Sequence, residues 1–463
     1  MSVLARRRIH FVGIGGAGMS ALAEVLLARG REISGCDARP SPVLDRLSEL
    51  GARIHIGHSP DHLDGAEALV VSSAIATANP EIRAAREKGL VVVRRAELLA
   101  DVMAEGTGIA IAGTHGKSTT TMMVGEVLAA AGRDPTVLVG GQMRGRGGNV
   151  RLGAGAWIVA EADEFDRSFL ALRPAHAIVN NIEADHLDTY GSFDEVRAAF
   201  AAFVERVEIG GVVARGIDDA GARALAVPVG RIDVGFGTGA AARVRAEDVR
   251  LEGLGARFAL VLDGEPAGEV ELSVPGLHNV RNALGAAALA WGIGIDAAAI
   301  RAGLAAVRGV ARRFEVLRSS PELVVVDDYA HHPTEIEATL ASARGAFPER
   351  RLVAVFQPHL YSRTRDLAAG FGRALAGADR AFVTGIYPAR EAPIPGVDAG
   401  LLERATGSAG GRATLLPALD DAAAIESAAR AVEAELAPGD VVVTLGAGDV
   451  DRLGRRIAGS EKS

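Results

Sequence analysis

The sequence predicts an α/β protein built as three consecutive blocks with mostly parallel sheets. Three observations carry this expectation. The chain has 463 residues, which at roughly 150 residues per domain suggests about three domains. Short apolar runs at 9–12, 68–71, 109–112, 157–160, 177–179, 324–326, 352–356, 381–384 and 441–445 alternate with Ala-rich helical stretches. Continuous Val/Ile/Ala runs fit strands buried on both faces of a parallel sheet, and their alternation with helical sequence is that of βα units. Many of these runs end in Gly, Asp, Glu or His, and in such sheets ligands bind beyond the carboxyl ends of the strands.

Composition sets outer limits. Hydrophobic residues make up 49% and charged residues 23% of the chain, which excludes a disordered or collagen-like polymer and fits cores of ordinary size. Aromatics are only 4% and glycines number 57, so those cores are expected to be built from small aliphatic side chains. The net charge is −8, which provides no global field toward nucleic acid or an anionic membrane. Cys36 is the single cysteine, so no intrachain disulfide forms, consistent with a reducing cytoplasm. The Arg-rich start is soon interrupted by glycines and Glu24 and is not expected to act as a signal peptide; no run reaches the ~18–20 apolar residues of a membrane span.

The blocks are placed at 1–105, 106–311 and 312–463. Residues 240–272 show polar/apolar alternation and are expected to form an antiparallel excursion of the middle block, and 459–463 read as a frayed tail. In the first block, Phe11-Val-Gly13-Ile-Gly15-Gly-Ala-Gly18 matches G-x-G-x-x-G between a strand and a helix, with Asp37 about 20 residues on. The physics of that motif is a diphosphate on a helix N-terminus, which a dinucleotide or a UDP-sugar satisfies equally. A nucleotide-dependent dehydrogenase is therefore one reading of this block, although no paired redox group accompanies it.

The middle block opens with the strongest local signal, Ile109-Ala-Ile-Ala-Gly113-Thr-His-Gly116-Lys117-Ser118-Thr119-Thr-Thr. A buried strand runs into a glycine turn and then a helix, so backbone N–H groups can surround phosphate oxygens while Lys117 supplies a point charge and Ser118 reaches a Mg²⁺. The loop is a compact variant, with Ile111 where the general pattern has its first glycine. Lys88, Lys117 and Lys462 are the only lysines in the chain. A chain that has otherwise adopted Arg keeps a compact ammonium here, and the two cations are not equivalent in a tight phosphate nest. Further on, Trp157-Ile-Val-Ala-Glu161-Ala-Asp-Glu164-Phe-Asp166 ends a strand in carboxylates, the placement of a metal-holding acid beside a phosphate loop. Ala177-Ile-Val-Asn-Asn-Ile-Glu183-Ala-Asp185-His186-Leu-Asp188 repeats the arrangement with a histidine among the acids, a candidate ligand for a divalent ion. A phosphate-loop switch or motor without a covalent product is the other reading of this block.

Taken in order, the segments His10-Phe-Val-Gly-Ile-Gly-Gly-Ala-Gly-Met-Ser, Ser72-Ser-Ala-Ile, Gly113-Thr-His-Gly-Lys-Ser-Thr-Thr-Thr, Glu161-Ala-Asp-Glu, Asn181-Ile-Glu-Ala-Asp-His-Leu-Asp-Thr-Tyr, His278-Asn-Val-Arg-Asn-Ala, Arg312-Arg-Phe, Asp327-Asp-Tyr-Ala-His-His-Pro-Thr-Glu and Phe356-Gln-Pro-His-Leu-Tyr-Ser-Arg-Thr resemble the Mur ligases over almost the full length. The resemblance is to the branch that joins L-alanine to UDP-N-acetylmuramate in peptidoglycan precursor synthesis. A relative that attaches a recycled peptide to the same sugar is the alternative.

The resemblance implies a Rossmann-like N-terminal UDP-binding domain, a central P-loop ATPase domain and a C-terminal Rossmann-like domain that closes over the site. It implies Gly13, Gly15, Gly18, Asp37, Ser72 and Ser73 around the UDP-sugar. It places Gly113, Thr114, His115, Gly116, Lys117, Ser118, Thr119, Asn282, Arg313 and Asp328 around ATP, with Asn282 reading the adenine. Ser118, Glu161 and His186 would hold Mg²⁺, and Tyr329, His331 and Arg363 would border the alanine. His331 or His332 would keep the incoming amine unprotonated, with helix capping as the alternative for His332. No nucleic acid or membrane partner is implied, and a cytoplasmic monomer or homodimer is expected. The chain departs from the common pattern of the family at Phe165, Ala330 and Leu360, and carries Ser118 for Thr.

Overall fold

The computed structural model describes residues 3–72, 74–144, 148–389 and 391–459, with Asp188 described by its backbone alone. Ser73 and the tail residues 460–463 lie outside the described residues. The expected strands are all present, and they assemble into three sheets.

The first sheet contains β1 (Arg8–Val12), β2 (Glu32–Asp37), β3 (Arg53–Ile56), β4 (Ala68–Val71) and β5 (Val91–Arg94), in the order β3-β2-β1-β4-β5. All of its pairs are parallel. The order reverses between β1 and β4, and the crevice beyond their carboxyl ends is where a doubly wound sheet binds its ligand. The turn at Gly13 follows β1 and Ser72 follows β4, so both flank this switch point.

The second sheet contains β6 (Thr107–Ala112), β7 (Thr136–Met143), β8 (Gly148–Arg151), β9 (Trp157–Glu161), β10 (His176–Val179), β11 (Val212–Gly216), β12 (Ile232–Gly237), β13 (Val244–Glu252), β14 (Gly255–Leu262) and β15 (Glu265–Leu272). Its order is β15-β14-β13-β12-β11-β10-β6-β9-β7-β8. Central β6 lies parallel to both β10 and β9. The tips of these three strands therefore share one edge, which gathers the phosphate loop, Glu161 and Asn180-Asn181. The expected excursion at 240–272 is β13 to β15, joined by connections too short for anything but hairpins. Asp263-Gly264 turns with φ of 51° and 92°, the double left-handed geometry that matches strand twist.

The third sheet contains β16 (Glu315–Ser319), β17 (Leu323–Asp328), β18 (Leu352–Phe356), β19 (Arg380–Val383), β20 (Ala413–Leu415) and β21 (Asp440–Leu445). The order is β16-β17-β21-β18-β19-β20, parallel except for the β16–β17 pair. Its four inner strands, β17, β21, β18 and β19, are buried on both faces, by one cluster around Phe356 and Phe371 and another around Phe382 and Val442.

The chain divides into two compact units, 1–247 with 259–270 and 281–308, and 248–258 with 271–280 and 309–463. Within the first unit one apolar cluster runs from Ile9 and Phe11 through the helix Ala17–Ala28 to Leu138, Phe169, Phe200 and Phe203. Polar contacts reinforce it: Asn149 Nδ2 donates to the Ala17 carbonyl at 2.5 Å, and Arg46 is held by Glu24 at 3.0 Å.

Candidate active site

The loop after β6 is a turn that only glycines can make. Gly113 and Gly116 have φ of 140° and 81°, and Gly116 forms the N-cap of the helix Lys117–Ala130. A Cβ on Gly113 would stand 3.0 Å from Asn180 Cβ, and one on Gly116 would stand 2.3 Å from Asn282 Oδ1. The turn is clamped from the β10 side. The His115 N–H donates to Asn181 Oδ1 at 2.8 Å, the Asn180 amide donates to the His115 carbonyl at 3.2 Å and to Thr120 Oγ1 at 3.0 Å, and the Glu183 N–H donates to Thr114 Oγ1 at 2.9 Å. Ser118 and Thr119 lie buried in the first helical turn. Asn282, expected at the adenine, packs against this glycine turn.

Lys117 is not a free point charge in this state. Its Nζ donates to the Gly113 carbonyl at 2.7 Å and to both carboxylate oxygens of Glu164 at 3.0 and 2.8 Å. Burial works against the ammonium, but Glu164 and Asp163 outweigh it and hold Lys117 charged, above its ordinary range. Burial in turn pushes the Glu164 carboxyl up to about 7 in spite of Lys117. An arriving phosphate would replace Glu164 as the counterion of Lys117. Glu164, not singled out in the sequence beyond its place in the acidic strand tip, is thus a principal member of the site. Its backbone carbonyl also accepts from the buried Tyr190 hydroxyl at 2.6 Å.

Glu161 ends β9 and accepts from the Gly140 N–H on the neighbouring β7. His186 takes a left-handed φ of 55° at the N-cap of the helix Leu187–Tyr190. Its Nε2 lies 3.6 Å from Asp185 and 3.9 Å from Glu164, and the Phe165 ring meets it edge-on at 5.2 Å. The Phe165 ring thus packs against the histidine.

At the first glycine turn, Asp37 does not reach outward. Its carboxylate accepts from the Gly15 N–H at 2.9 Å and from the Ala38 N–H at 2.8 Å, bracing the loop itself. Arg95 lies over Gly18, its Nη1 2.9 Å from where a Cβ would stand, and faces Asp163 at 3.9 Å. This guanidinium beside a phosphate-type turn was not singled out in the sequence; its signal was the Arg94-Arg95 pair closing a Val run. The Ser72 hydroxyl accepts from the Ala74 N–H at 3.3 Å.

The remaining expected residues belong to the second unit. Asp328 ends β17 and accepts from the Phe314 and Ala330 N–H groups at 2.7 and 2.8 Å; burial pushes it up to about 6, against Arg313 and those donors. The Arg313 and Arg312 guanidinium groups stack over the Tyr329 ring at 5.3 and 5.1 Å. His331 Nδ1 lies 2.9 Å from the Tyr329 carbonyl, which assigns a proton to Nδ1. Its ring meets His359 at 5.8 Å, and Arg363 donates to His359 Nδ1 at 3.3 Å. His332 occupies the N-cap of the helix Pro333–Ala346 but its side chain does not cap it. Leu360 holds φ 68° at the N-cap of the helix Tyr361–Asp366.

Three family descriptions match the chain: Mur ligase family, catalytic domain, over residues 8–107; Mur ligase middle domain, over 155–290; and Mur ligase, glutamate ligase domain, over 312–448. The chain is 47% identical over 452 residues to a UDP-N-acetylmuramate–L-alanine ligase of Acidithiobacillus ferrooxidans, covering 96% of each chain. It is 45% identical over 458 residues to the ligase of the same name from Halorhodospira halophila, covering 98% of this chain and 93% of that one. Among solved structures, the UDP-N-acetylmuramate-alanine ligase MurC of Thermotoga maritima superposes with a TM-score of 0.82 at 30% identity, covering 98% of both chains. A murein peptide ligase of Psychrobacter arcticus reaches 0.72 at 26% identity over the same share.

Proposed function

Because the chain belongs to the Mur ligase family, we propose that it joins L-alanine to the carboxylate of UDP-N-acetylmuramate with cleavage of ATP to ADP and phosphate. The observation that carries this reading is the 47% identity to ligases of that name across 96% of the chain. Among solved structures the peptide ligase likeness is weaker than the alanine ligase one, with a TM-score of 0.72 against 0.82.

A carboxylate is a poor acyl donor because oxide would have to leave. In the proposed reaction a carboxylate oxygen attacks the γ-phosphorus of ATP, the β–γ bridging P–O bond breaks and ADP departs. The resulting acyl phosphate is attacked by the neutral amine of alanine, and the acyl C–O bond breaks to release phosphate. Lys117 leaves Glu164 to neutralise the transferring phosphoryl group, and the N–H groups at the start of the helix, residues 116–119, hold its oxygens. His331 is the group that accepts the amine proton. Arg313, Asp328, Tyr329 and Arg363 bind ATP and alanine, and Gly13, Gly15, Gly18, Asp37 and Ser72 shape the UDP cradle, to which Arg95 adds a cation.

The oxygen donors around the loop fit a hard divalent ion, namely the Ser118 hydroxyl in the first helical turn and the Glu161 carboxylate one strand away; His186, itself among carboxylates, would join them. Bound there, Mg²⁺ would neutralise phosphate charge. The domain limits 1–105, 106–311 and 312–463 follow the same reading. No helix among the described residues is long and apolar enough to cross a membrane; a cytoplasmic monomer or homodimer is part of the proposal.

The test is phosphate release with ATP and Mg²⁺, omitting each acceptor in turn. Release that needs both UDP-N-acetylmuramate and L-alanine is expected. Release without either, or release driven by the tripeptide in place of alanine, overturns the assignment. In the same assay His186→Ala should shift the Mg²⁺ titration upward by on the order of tenfold, the scale at which ligand-shell losses act. An unchanged titration removes His186 from the metal site.

A further inference from the structure

The outer face of the first sheet carries a polar cluster that the ligase reaction does not use. Register decides its membership. His10 pairs with Ser34, Val12 with Cys36, and Cys36 with His55, so three adjacent strands turn His10, Cys36 and His55 to one face. That face is roofed by the turn Pro60–Leu63, which brings His62, and by the helix Pro80–Glu87, which brings Glu81 in its first turn. His10, Cys36 and Glu81 are fully buried. Val12, Leu63, Leu69 and Ile82 pack around them.

The donors converge. Cys36 Sγ lies 3.0 Å from Glu81 Oε2 and 3.3 Å from His58 Nδ1, and His62 Nδ1 lies 2.6 Å from Glu81 Oε1. One ligand atom from each of His10, Cys36, His62 and Glu81 can be chosen so that all lie within 4.8 Å of one another. His10 Nδ1 is taken by Ser34 Oγ at 2.8 Å, and its other ring nitrogen, Nε2, is buried without a hydrogen-bond partner. A buried ring nitrogen with no partner costs stability unless something completes it.

We propose that His10, Cys36, His62 and Glu81 form a binding site for one borderline-soft divalent cation of the Zn²⁺ type. Two imidazoles, a thiolate and a carboxylate are the donor set of a closed tetrahedral zinc site, and they are unsuited to Mg²⁺. With bonds of about 2.0–2.3 Å, tetrahedral donors stand roughly 3.3–3.8 Å apart, so on binding the widest separations close by about 1 Å while the His62–Glu81 and Cys36–Glu81 pairs open from 2.6 and 3.0 Å. The charges balance, since the ion's two positive charges meet one thiolate and one carboxylate. The Cys36 S–H bond gives up its proton to solvent; the proton on His62 Nδ1 moves to Nε2 of that ring or leaves as well. Burial and Glu81 hold the Cys36 thiol protonated without an ion, so the cation itself must drive that ionisation. His58 and His62 are the partly exposed members of the cluster.

The site also sits directly behind the UDP cradle. The Cys36 carbonyl accepts from the Gly13 and Ile14 N–H groups at 2.9 and 3.1 Å, and the next residue, Asp37, braces Gly15. An ion on Cys36 therefore stiffens the strand end from which that turn hangs.

The experiment titrates the metal-stripped full chain with Co²⁺ in excess Mg²⁺, which occupies the hard oxygen sites. Because Cys36 is the only cysteine, thiolate-to-cobalt absorption in the near ultraviolet reports this site alone. The expected result is such absorption saturating at one equivalent, with the intense visible bands of four-coordinate cobalt, both erased by Zn²⁺. His62→Gln should weaken the cobalt affinity by on the order of tenfold or more. Absence of thiolate absorption at saturating Co²⁺, or absorption without the four-coordinate bands, overturns the proposal. So does a His62→Gln variant that keeps the wild-type affinity. If that variant does not fold, the wild-type spectrum and its stoichiometry decide alone.

Discussion

Lys117→Ala is expected to lower the rate of ATP-dependent phosphate release by on the order of 10³-fold, the scale on which a single preorganised cation or donor acts on a developing negative charge. The variant should still fold, for a reason the structure supplies. Removing Lys117 strips the counterion from Glu164, and a buried uncompensated carboxylate costs about 3–5 kcal/mol if it stays ionised. Glu164 is already lifted to about 7 from an ordinary 4.5, so it takes up a proton instead. The sign follows. The folded state then holds a proton that the unfolded chain has lost, so stability is full below the unfolded value of 4.5 and falls as pH rises through the folded one. Thermal melts of Lys117→Ala should approach the wild type under acidic conditions and fall away above neutrality. Adding Glu164→Gln should flatten that pH dependence without restoring activity. Near-normal turnover in Lys117→Ala would remove the phosphate-loop argument altogether.

Gly116→Ala is expected to be nearly as damaging, by a different route. The residue sits at φ 81°, where a Cβ costs roughly 1–2 kcal/mol. That Cβ would also stand 2.3 Å from Asn282 Oδ1, so Asn282 or the turn must shift. Displacing the first N–H groups of the helix by even an ångström misplaces the phosphate cradle, and a rate loss of about 10²-fold follows. Asn282→Gly removes the clash but not the backbone cost. The double variant should therefore melt above Gly116→Ala alone while remaining below the wild type, the signature of coupled neighbours. Strict additivity of the two changes in melting experiments would show that the Asn282 contact is unimportant.

The strand-turn-helix loops were legible because their determinants are local. Gly113, Gly116 and Lys117 fall within five residues, and the apolar run before them is long enough to announce a buried strand. The carboxylates at the tips of β9 and the segment after β10 were visible for the same reason. What they touch was not. Asp37 carries the spacing of a ribose-binding acid, yet its carboxylate braces Gly15, because the β1–β2 register brings the two together. Asn282 likewise lies against the glycine turn through the packing of the helix Leu277–Gly292.

The sequence alone therefore determined the α/β class, the two glycine turns and the family, since each is written in a short run of residues whose spacing imposes the backbone. The tertiary structure alone decided the partners. Glu164 reaches Lys117 across 47 residues, and His10, Cys36, His62 and Glu81 meet across strands and a roofing helix. The physical reason is that parallel strands join through long crossovers, so which side chains share a face depends on sheet order and register, and these are set by packing of the whole core rather than by any local spacing.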